Sequence, residues 1–295
     1  MAETLLAKKV KKEQKVIDWP LLLRRVLAYA LLIILSILSL FAFYILFINA
    51  TRAHPDIQKG FSFFPGRSLA VNWNSVITDK VLPVVKGIVN SFVVAGGCAL
   101  VSTYFSAMTA YGIHAYTFKI KKQAFAFILL IMMVPTQVSA LGFINLMFKM
   151  GLKNSFIPLI VPTIAAPITF FYMKQYMESA LPLEIVEAAR IDGSGEFFTF
   201  NRIIFPIMKP AIAVQAIFTF VSNWNNYFIP ALLLEDQNKK TLPILIAQLR
   251  SADWLKFDMG KVYMLIAIAI FPVVIVYLML SKFIVRGVAL GSVKG

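Results

Sequence analysis

The 295-residue chain is 59% hydrophobic and only 15% charged, and its mean hydropathy of +0.78 sets it apart from soluble domains, in which about a quarter of residues are charged. A bilayer is the implied solvent, so the net charge of +15 reads as membrane topology rather than as a nucleic-acid surface. The lone cysteine, Cys98, lies in an apolar run, which excludes an intrachain disulfide and predicts a small buried hydrophobe.

The chain opens with a polar, basic tail over residues 1–25, ending in Arg24 and Arg25 directly before the first apolar run. Six stretches then carry no Asp, Glu, Lys or Arg: Val26–Ala50, Gly87–Phe118, Gln123–Phe148, Asn154–Met173, Pro210–Leu234 and Val262–Ser281. A bilayer core requires about 20 apolar residues as helix, and hydrocarbon offers no partner for backbone N–H and C=O groups, so helix is the expected form. The expectation is an all-α membrane protein with six spans at about 26–50, 87–112, 123–148, 154–173, 210–234 and 262–282. They form a single domain over 26–285, followed by a tail over 286–295. Most of the 29 Lys and Arg then fall on one side if both termini are cytoplasmic, and Arg24 and Arg25 orient the first span. That span lies behind a long polar tail and reads as uncleaved rather than as a signal peptide.

Between spans, the first loop (about 51–86) holds Pro55, Gly60, Pro65, Gly66 and Phe61-Ser-Phe63-Phe64. It is too apolar for a flexible linker and should pack. His54 and His114 have no Cys or paired carboxylate at ligand spacing, so no metal site is expected. Pro135, Pro162, Pro167, Pro230 and Pro272 interrupt the spans. Each removes a backbone donor and favours a kink, either to line a pathway or as part of the ordinary proline content of membrane helices.

The fourth loop, 176–209 between spans 4 and 5, differs in kind. Pro182 suits the start of a short helix over Leu183-Glu-Ile-Val-Glu-Ala-Ala-Arg-Ile, and Gly193 stands where a left-handed C-cap is wanted. Ser194 is expected to cap a second short helix with Glu196 in its first turn, and Pro206 to stop it before Pro210 opens the fifth span. Glu184 and Glu187 share a helix face, while Ala188 and Ala189 present little side chain and allow another surface to come close. The object so described is a cytoplasmic knob of two short helices.

Glu187-Ala188-Ala189-Arg-Ile-Asp192-Gly193, followed by Ile203, Pro206 and Pro210, resembles the EAA motif of ABC-importer permeases. Asn90-Ser91, Ala110-Tyr111-Gly112, Pro135-Thr-Gln137-Val, Gly151-Leu-Lys-Asn154-Ser, Phe220-Val-Ser-Asn-Trp224-Asn225 and the ending Phe283 to Gly295 are similar to the maltose-type carbohydrate permeases. Ser194 and Phe205 depart from the family's common Ala and Leu. The resemblance implies a permease subunit in the plasma membrane of a bacterium or archaeon, paired with a paralogous permease. Its further partners would be a dimer of cytoplasmic ATPase subunits that bind ATP and Mg, and an extracellular or periplasmic sugar-binding protein. It further implies that Glu184, Glu187, Ala188, Ala189, Asp192, Gly193, Ser194, Phe198 and Pro206 dock the ATPase. Alternating access, in which ATP-driven closure rocks two bundles around the substrate, is the implied mechanism.

The sequence contains no Gly-x-x-x-x-Gly-Lys-Ser/Thr loop, so hydrolysis and its cofactors are expected in partner subunits and not in this chain. Polar or aromatic groups within the spans, Gln137, Asn145, Asn223, Trp224, Asn225, Asn226 and Tyr227, are candidates for the substrate pathway. The competing reading is that such groups bond neighbouring helices. An ABC importer for a non-sugar solute is the first alternative. An ion-coupled secondary transporter would need an ionisable group within a span, and none of the six runs has one. A membrane enzyme would need clustered carboxylates or a nucleophile pair, and the only acid cluster is the knob. The remaining alternative, a merely solvated loop, fits poorly with the ordered spacing through Pro210.

Overall fold

A computed structural model describes residues 19–251 and 257–291, excepting the side chains of 283–291. Most of the proposed tail 1–25, and the last residues of 286–295, therefore lie outside the described residues. Regular structure among the described residues is helical throughout. Four stretches are long and apolar enough to cross a membrane: Trp19–Ala50, Val84–Ala115, Ile157–Ala180 and Met259–Lys282. Two further pairs, Lys121–Ile131 with Thr136–Lys149 and Glu196–Ile207 with Lys209–Trp224, are bent by 95° and 80°.

In chain order the helices are α1 (Trp19–Ala50), α2 (His54–Gln58), α3 (Leu69–Ile77), α4 (Val84–Ala115), α5 (Lys121–Ile131), α6 (Thr136–Lys149), α7 (Ile157–Ile160) and α8 (Pro167–Ala180). They continue as α9 (Leu183–Ile191), α10 (Glu196–Thr199), α11 (Phe205–Ile207), α12 (Lys209–Trp224), α13 (Phe228–Leu233), α14 (Leu242–Arg250) and α15 (Met259–Gly291).

Where the runs deviate from straight helices, proline gives the reason. The run 123–148 breaks between α5 and α6 because Pro135 has no N–H and holds an extended backbone at φ −63°, ψ 128°. Pro158 and Pro162 confine the run 154–173 to a four-residue helix and a 3-10 turn before Pro167 opens α8. The fifth run stops at Trp224 and resumes as the six-residue α13. The last helix is longer than its charge-free run and continues unbroken through Pro272 to Gly291.

Helix α4 is the axis of the bundle, packed against α8, α12 and α14. Its buried face is built from small residues, including Ala95, Ala99, Ser102, Ser106, Ala107 and Ala110, which let neighbouring backbones approach closely. Polar side chains on and beside it bond across to other elements: Ser91 Oγ accepts the Leu242 N–H at 2.7 Å, and Asn90 Nδ2 donates to the carbonyls of Asn238 and Lys240 at 2.8 and 3.0 Å. One apolar cluster forms around the first half of α4 with Trp224, α14 and α15. A second surrounds its last turns together with Met173, Met177, Leu181, Val186, Phe200 and Met208. Cys98 is fully buried in a third and donates its thiol to the Leu159 carbonyl at 3.2 Å.

The first loop packs, as its composition predicts. Asn72 Nδ2 donates to the carbonyls of Ala50 and Arg52 at 2.8 and 2.9 Å, and α3 lies against α15. Arg52 is buried and turns its guanidinium inward, to Asn49 Oδ1 at 3.0 Å and to the backbone carbonyls of Gly60, at 2.9 Å, and Asp56. The two histidines are structural: His54 Nδ1 accepts from the Met259 N–H at 3.0 Å, and His114 Nε2 lies 3.1 Å from the Leu181 carbonyl. No group of three or more His, Cys, Asp or Glu suited to a metal occurs among the described residues.

Candidate functional site

The knob expected from 176–209 is a folded object with an inner and an outer face. Helix α9 starts after Pro182, whose φ −62° and ψ 138° form its N-cap. It ends in a Schellman turn: Gly193 N–H bonds the Arg190 carbonyl at 3.0 Å and Ser194 N–H bonds the Ala189 carbonyl at 2.9 Å. Gly193 has φ +77°, a conformation costing an L side chain about 1–2 kcal/mol. No neighbouring atom would touch a Cβ there, so it is the backbone conformation and not crowding that selects glycine.

The inner face of α9 is Val186, 1% exposed, which packs into the cluster around Met173, Met177 and Phe200, and Ala189, 4% exposed. Ala189 therefore faces this chain's own core, and the surface open to a partner is that of the exposed Ala188. Glu184, Glu187 and Asp192 are exposed and form no ion pair among the described residues. Beside them stand Leu183, Ile191 at 86% exposure, Phe197 and Phe198. The outer face thus combines free carboxylates with uncovered apolar side chains, an arrangement suited to a complementary protein surface.

Two sequence expectations are corrected. Ser194 does not cap the second helix: Gly195 occupies the N-cap, and the Ser194 hydroxyl lies 2.8 Å from Thr199 Oγ1 instead. Pro206 does not stop it. The chain passes from α10 through a π turn at Phe200–Ile204 into α11, and the sharp bend falls at Met208. In an α-helix, positions five apart diverge by about 140°. The π turn, closed by Phe205 N–H to the Phe200 carbonyl, brings the Phe200 and Phe205 rings to 5.9 Å. Both then meet Tyr104 of α4, at 5.7 and 5.8 Å.

A polar clamp that no helical period reveals fixes α9 to α4. Arg190 Nε donates to Glu196 Oε1 at 2.7 Å, and Tyr111 Oη donates to Glu196 Oε2 at 2.8 Å. The Arg190 guanidinium also lies 5.2 Å from the Tyr116 ring centroid. The hydrogen bond from Arg190 holds the Glu196 carboxyl below its ordinary range, against a smaller opposing effect of partial burial, with Tyr116 and Tyr111 reinforcing it. Sequence reasoning placed Glu196 in a first turn but missed the clamp, because its partners lie across a turn and on another helix. The Ala110-Tyr111-Gly112 resemblance was the one available signal.

The pathway candidates separate. Trp224 is buried, stacks on Phe220 at 5.6 Å, and donates its indole N–H to the Ala269 carbonyl at 3.1 Å; it bonds a neighbouring helix. Asn223 donates to the Thr219 carbonyl one turn back at 2.9 Å. With Asn226 it also lines a cleft of about 330 Å³ with Thr136, Thr163 and Pro230. Asn225 and Tyr227 open onto a different cleft of about 570 Å³, which Trp224 also lines together with Phe43, Arg250 and Ile270. Gln137 and Asn145 are exposed on α6, and neither lines the first cleft. The seven residues therefore do not form a single site.

Residues 102–289 match the family described as the binding-protein-dependent transport system inner membrane component. The chain belongs to that family. The permease is 35% identical over 209 residues, 70% of its length and 72% of the relative's, to the arabinooligosaccharides transport system permease protein AraQ of Bacillus subtilis (strain 168). It is 30% identical over 269 residues, 91% of its length and 96% of the relative's, to the lactose transport system permease protein LacG of Rhizobium radiobacter. Its fold matches a chain of a bacterial ABC transporter involved in the import of the acidic polysaccharide alginate, with TM-score 0.76 and 20% identity, covering 88% of the permease and 96% of that chain. Family membership makes the permease a transport subunit rather than an enzyme, assigns ATP to separate subunits and places the chain in a membrane as a multi-pass protein.

Proposed function

We propose that the permease is one half of the membrane pathway of an ATP-driven importer for a sugar or oligosaccharide delivered by an external binding protein. The names of AraQ and LacG support a saccharide cargo. We read the bent pair Lys121–Ile131 with Thr136–Lys149 as the third of six spans and Lys209–Trp224 as the main part of the fifth, with both termini cytoplasmic and the knob on the cytoplasmic side, a paralogous permease completing the pathway.

The single observation carrying the coupling role is the two-faced knob. Val186 and Ala189 seat it in the bundle, while Glu184, Glu187, Ala188, Ile191 and Phe198 remain uncovered. A force applied to the outer face reaches α4 through the Glu196 clamp and reaches α12 through the Phe200–Phe205 turn, so a rigid displacement of the knob tilts the bundle. Reversing the charge at Glu187 (Glu187→Arg) is expected to reduce co-purification with the ATPase subunits and sugar-stimulated hydrolysis by about 10-fold or more, given the cost of a like-charge or unpaired contact at an interface. Unchanged assembly and coupling would end the docking assignment.

A further inference from the structure

At the end of α1 opposite Arg24 and Arg25, the first loop presents Phe61, Phe63 and Phe64 outward, Phe64 being 79% exposed. These rings do not stand in isolation. Phe61 packs on Phe63 at 4.5 Å and on Phe41 of α1 at 5.8 Å, and Phe41 lies 6.4 Å from the ring of Tyr44. The loop therefore folds back along α1 rather than away from it, next to a helix whose most apolar window has no buried residue.

Depth follows from helix geometry. The charge-free run from Val26 to Ala50 is about 37 Å long at 1.5 Å per residue, against about 30 Å of hydrocarbon. Phe41 and Tyr44 lie about 9–14 Å back from Ala50, whereas the run exceeds the hydrocarbon by only about 7 Å, so a ring packed on Phe41 sits among the acyl chains, on the hydrocarbon side of the headgroup boundary.

The polar groups of the loop are arranged for the same boundary. Irregular backbone is expelled from lipid unless its donors and acceptors are satisfied, and here side chains of the protein satisfy them. Tyr44 Oη donates to the Phe63 carbonyl, Ser62 Oγ donates to the Phe64 carbonyl and accepts its N–H at 3.1 Å, Arg52 takes the Gly60 carbonyl, and Thr51 Oγ1 takes the Gly66 N–H at 2.8 Å. That last contact needs glycine, since a Cβ on Gly66 would come within 2.6 Å of the Thr51 carbonyl oxygen. A loop bathed in water would not need this internal bonding, and three bare aromatic rings would be poorly placed there.

We propose that the loop over 61–64 is a lipid anchor, inserting Phe61, Phe63 and Phe64 among phospholipid acyl chains just below the headgroups. Phenylalanine side chains are favoured in hydrocarbon. The anchor fixes the end of α1 against the bilayer, so that movement within the bundle is not absorbed by sliding of the first span.

The test uses the full complex, with both permeases and the ATPase subunits, reconstituted into phosphatidylcholine vesicles. Cys98 is buried, so the parental complex serves as the labelling blank. An environment-sensitive fluorophore on Phe64→Cys, compared with one on Lys59→Cys, is read against acyl-brominated phosphatidylcholine and against aqueous iodide. The expected result is at least twofold stronger quenching by brominated lipid at 64 than at 59, with the reverse order for iodide. Equal iodide access at both positions would overturn the proposal. So would protection of 64 from both quenchers, which would place a protein partner on the loop. Transport activity of the labelled complexes, measured separately, reports on the importer reading without bearing on the location of the loop.

Discussion

Helix α12 has a different neighbour at each end. At its start the chain is closed: the knob is seated by Val186, Ala189, Phe200 and Met208, all buried, and its polar clamp is internally satisfied. At its finish, past Trp224, the chain is open. Asn225 and Tyr227 face one cleft, and Asn223 and Asn226 another. One end is built to carry a displacement, and the other leaves hydrogen-bonding groups free to meet a solute.

The strongest challenge to that contrast is Val186→Asp. A carboxylate buried in the apolar seat without a partner costs several kcal/mol, and we expect the complex to fail to assemble, read as loss of co-purifying ATPase. Gly193→Val forces a β-branched residue to φ +77° at about 1–2 kcal/mol. The expected outcome is a lowered thermal midpoint for the purified permease. Trp224→Phe keeps the stack on Phe220 but removes the indole hydrogen bond to the Ala269 carbonyl, at about 1 kcal/mol, and should lower the midpoint less.

Glu196→Gln tests the clamp through pH. The folded carboxyl titrates below its ordinary 4.5, so its contribution is present above that value and is lost as pH falls through the lower folded value. Because Glu196 and Arg190 are each more than a third exposed, the effect should be below about 1 kcal/mol. The substitution should therefore remove a small acid-induced loss of stability and leave the midpoint near pH 7 only slightly lowered. The smallest stability effect is expected for Asn225→Ala, within about 0.5 kcal/mol. A changed transport KM at unaltered thermal midpoint would give the open end of α12 its functional role, and an unchanged KM would remove Asn225 from the pathway.

What the sequence made legible follows physical lines. The ending of α9 was readable because left-handed backbone selects Gly193, and the apolar runs were readable because hydrocarbon demands uncharged helix. The choice between Ala188 and Ala189 was not, since adjacent residues differ only in which side faces the core, and that is decided by α8 and α4. Ser194 looked like a cap by residue type, yet the chain starts the next turn one residue later and gives its hydroxyl to Thr199. Pro135 signalled a kink, while the 95° angle depends on how α5 and α6 pack. The polar residues around Trp224 were legible as a group by type, but the fold divides them between two clefts.

The π turn at Phe200–Ile204 holds one residue more per turn than its flanks, so it acts as a counter as well as a bend. Removing one residue there would restore α geometry and swing everything from Phe205 onward by about 100°, parting two rings that now share Tyr104. The aim of the outer surface relative to α12 is thus set by an integer, the number of residues between two phenylalanines. Substitutions adjust such a setting little, whereas a single-residue insertion or deletion resets it in one step.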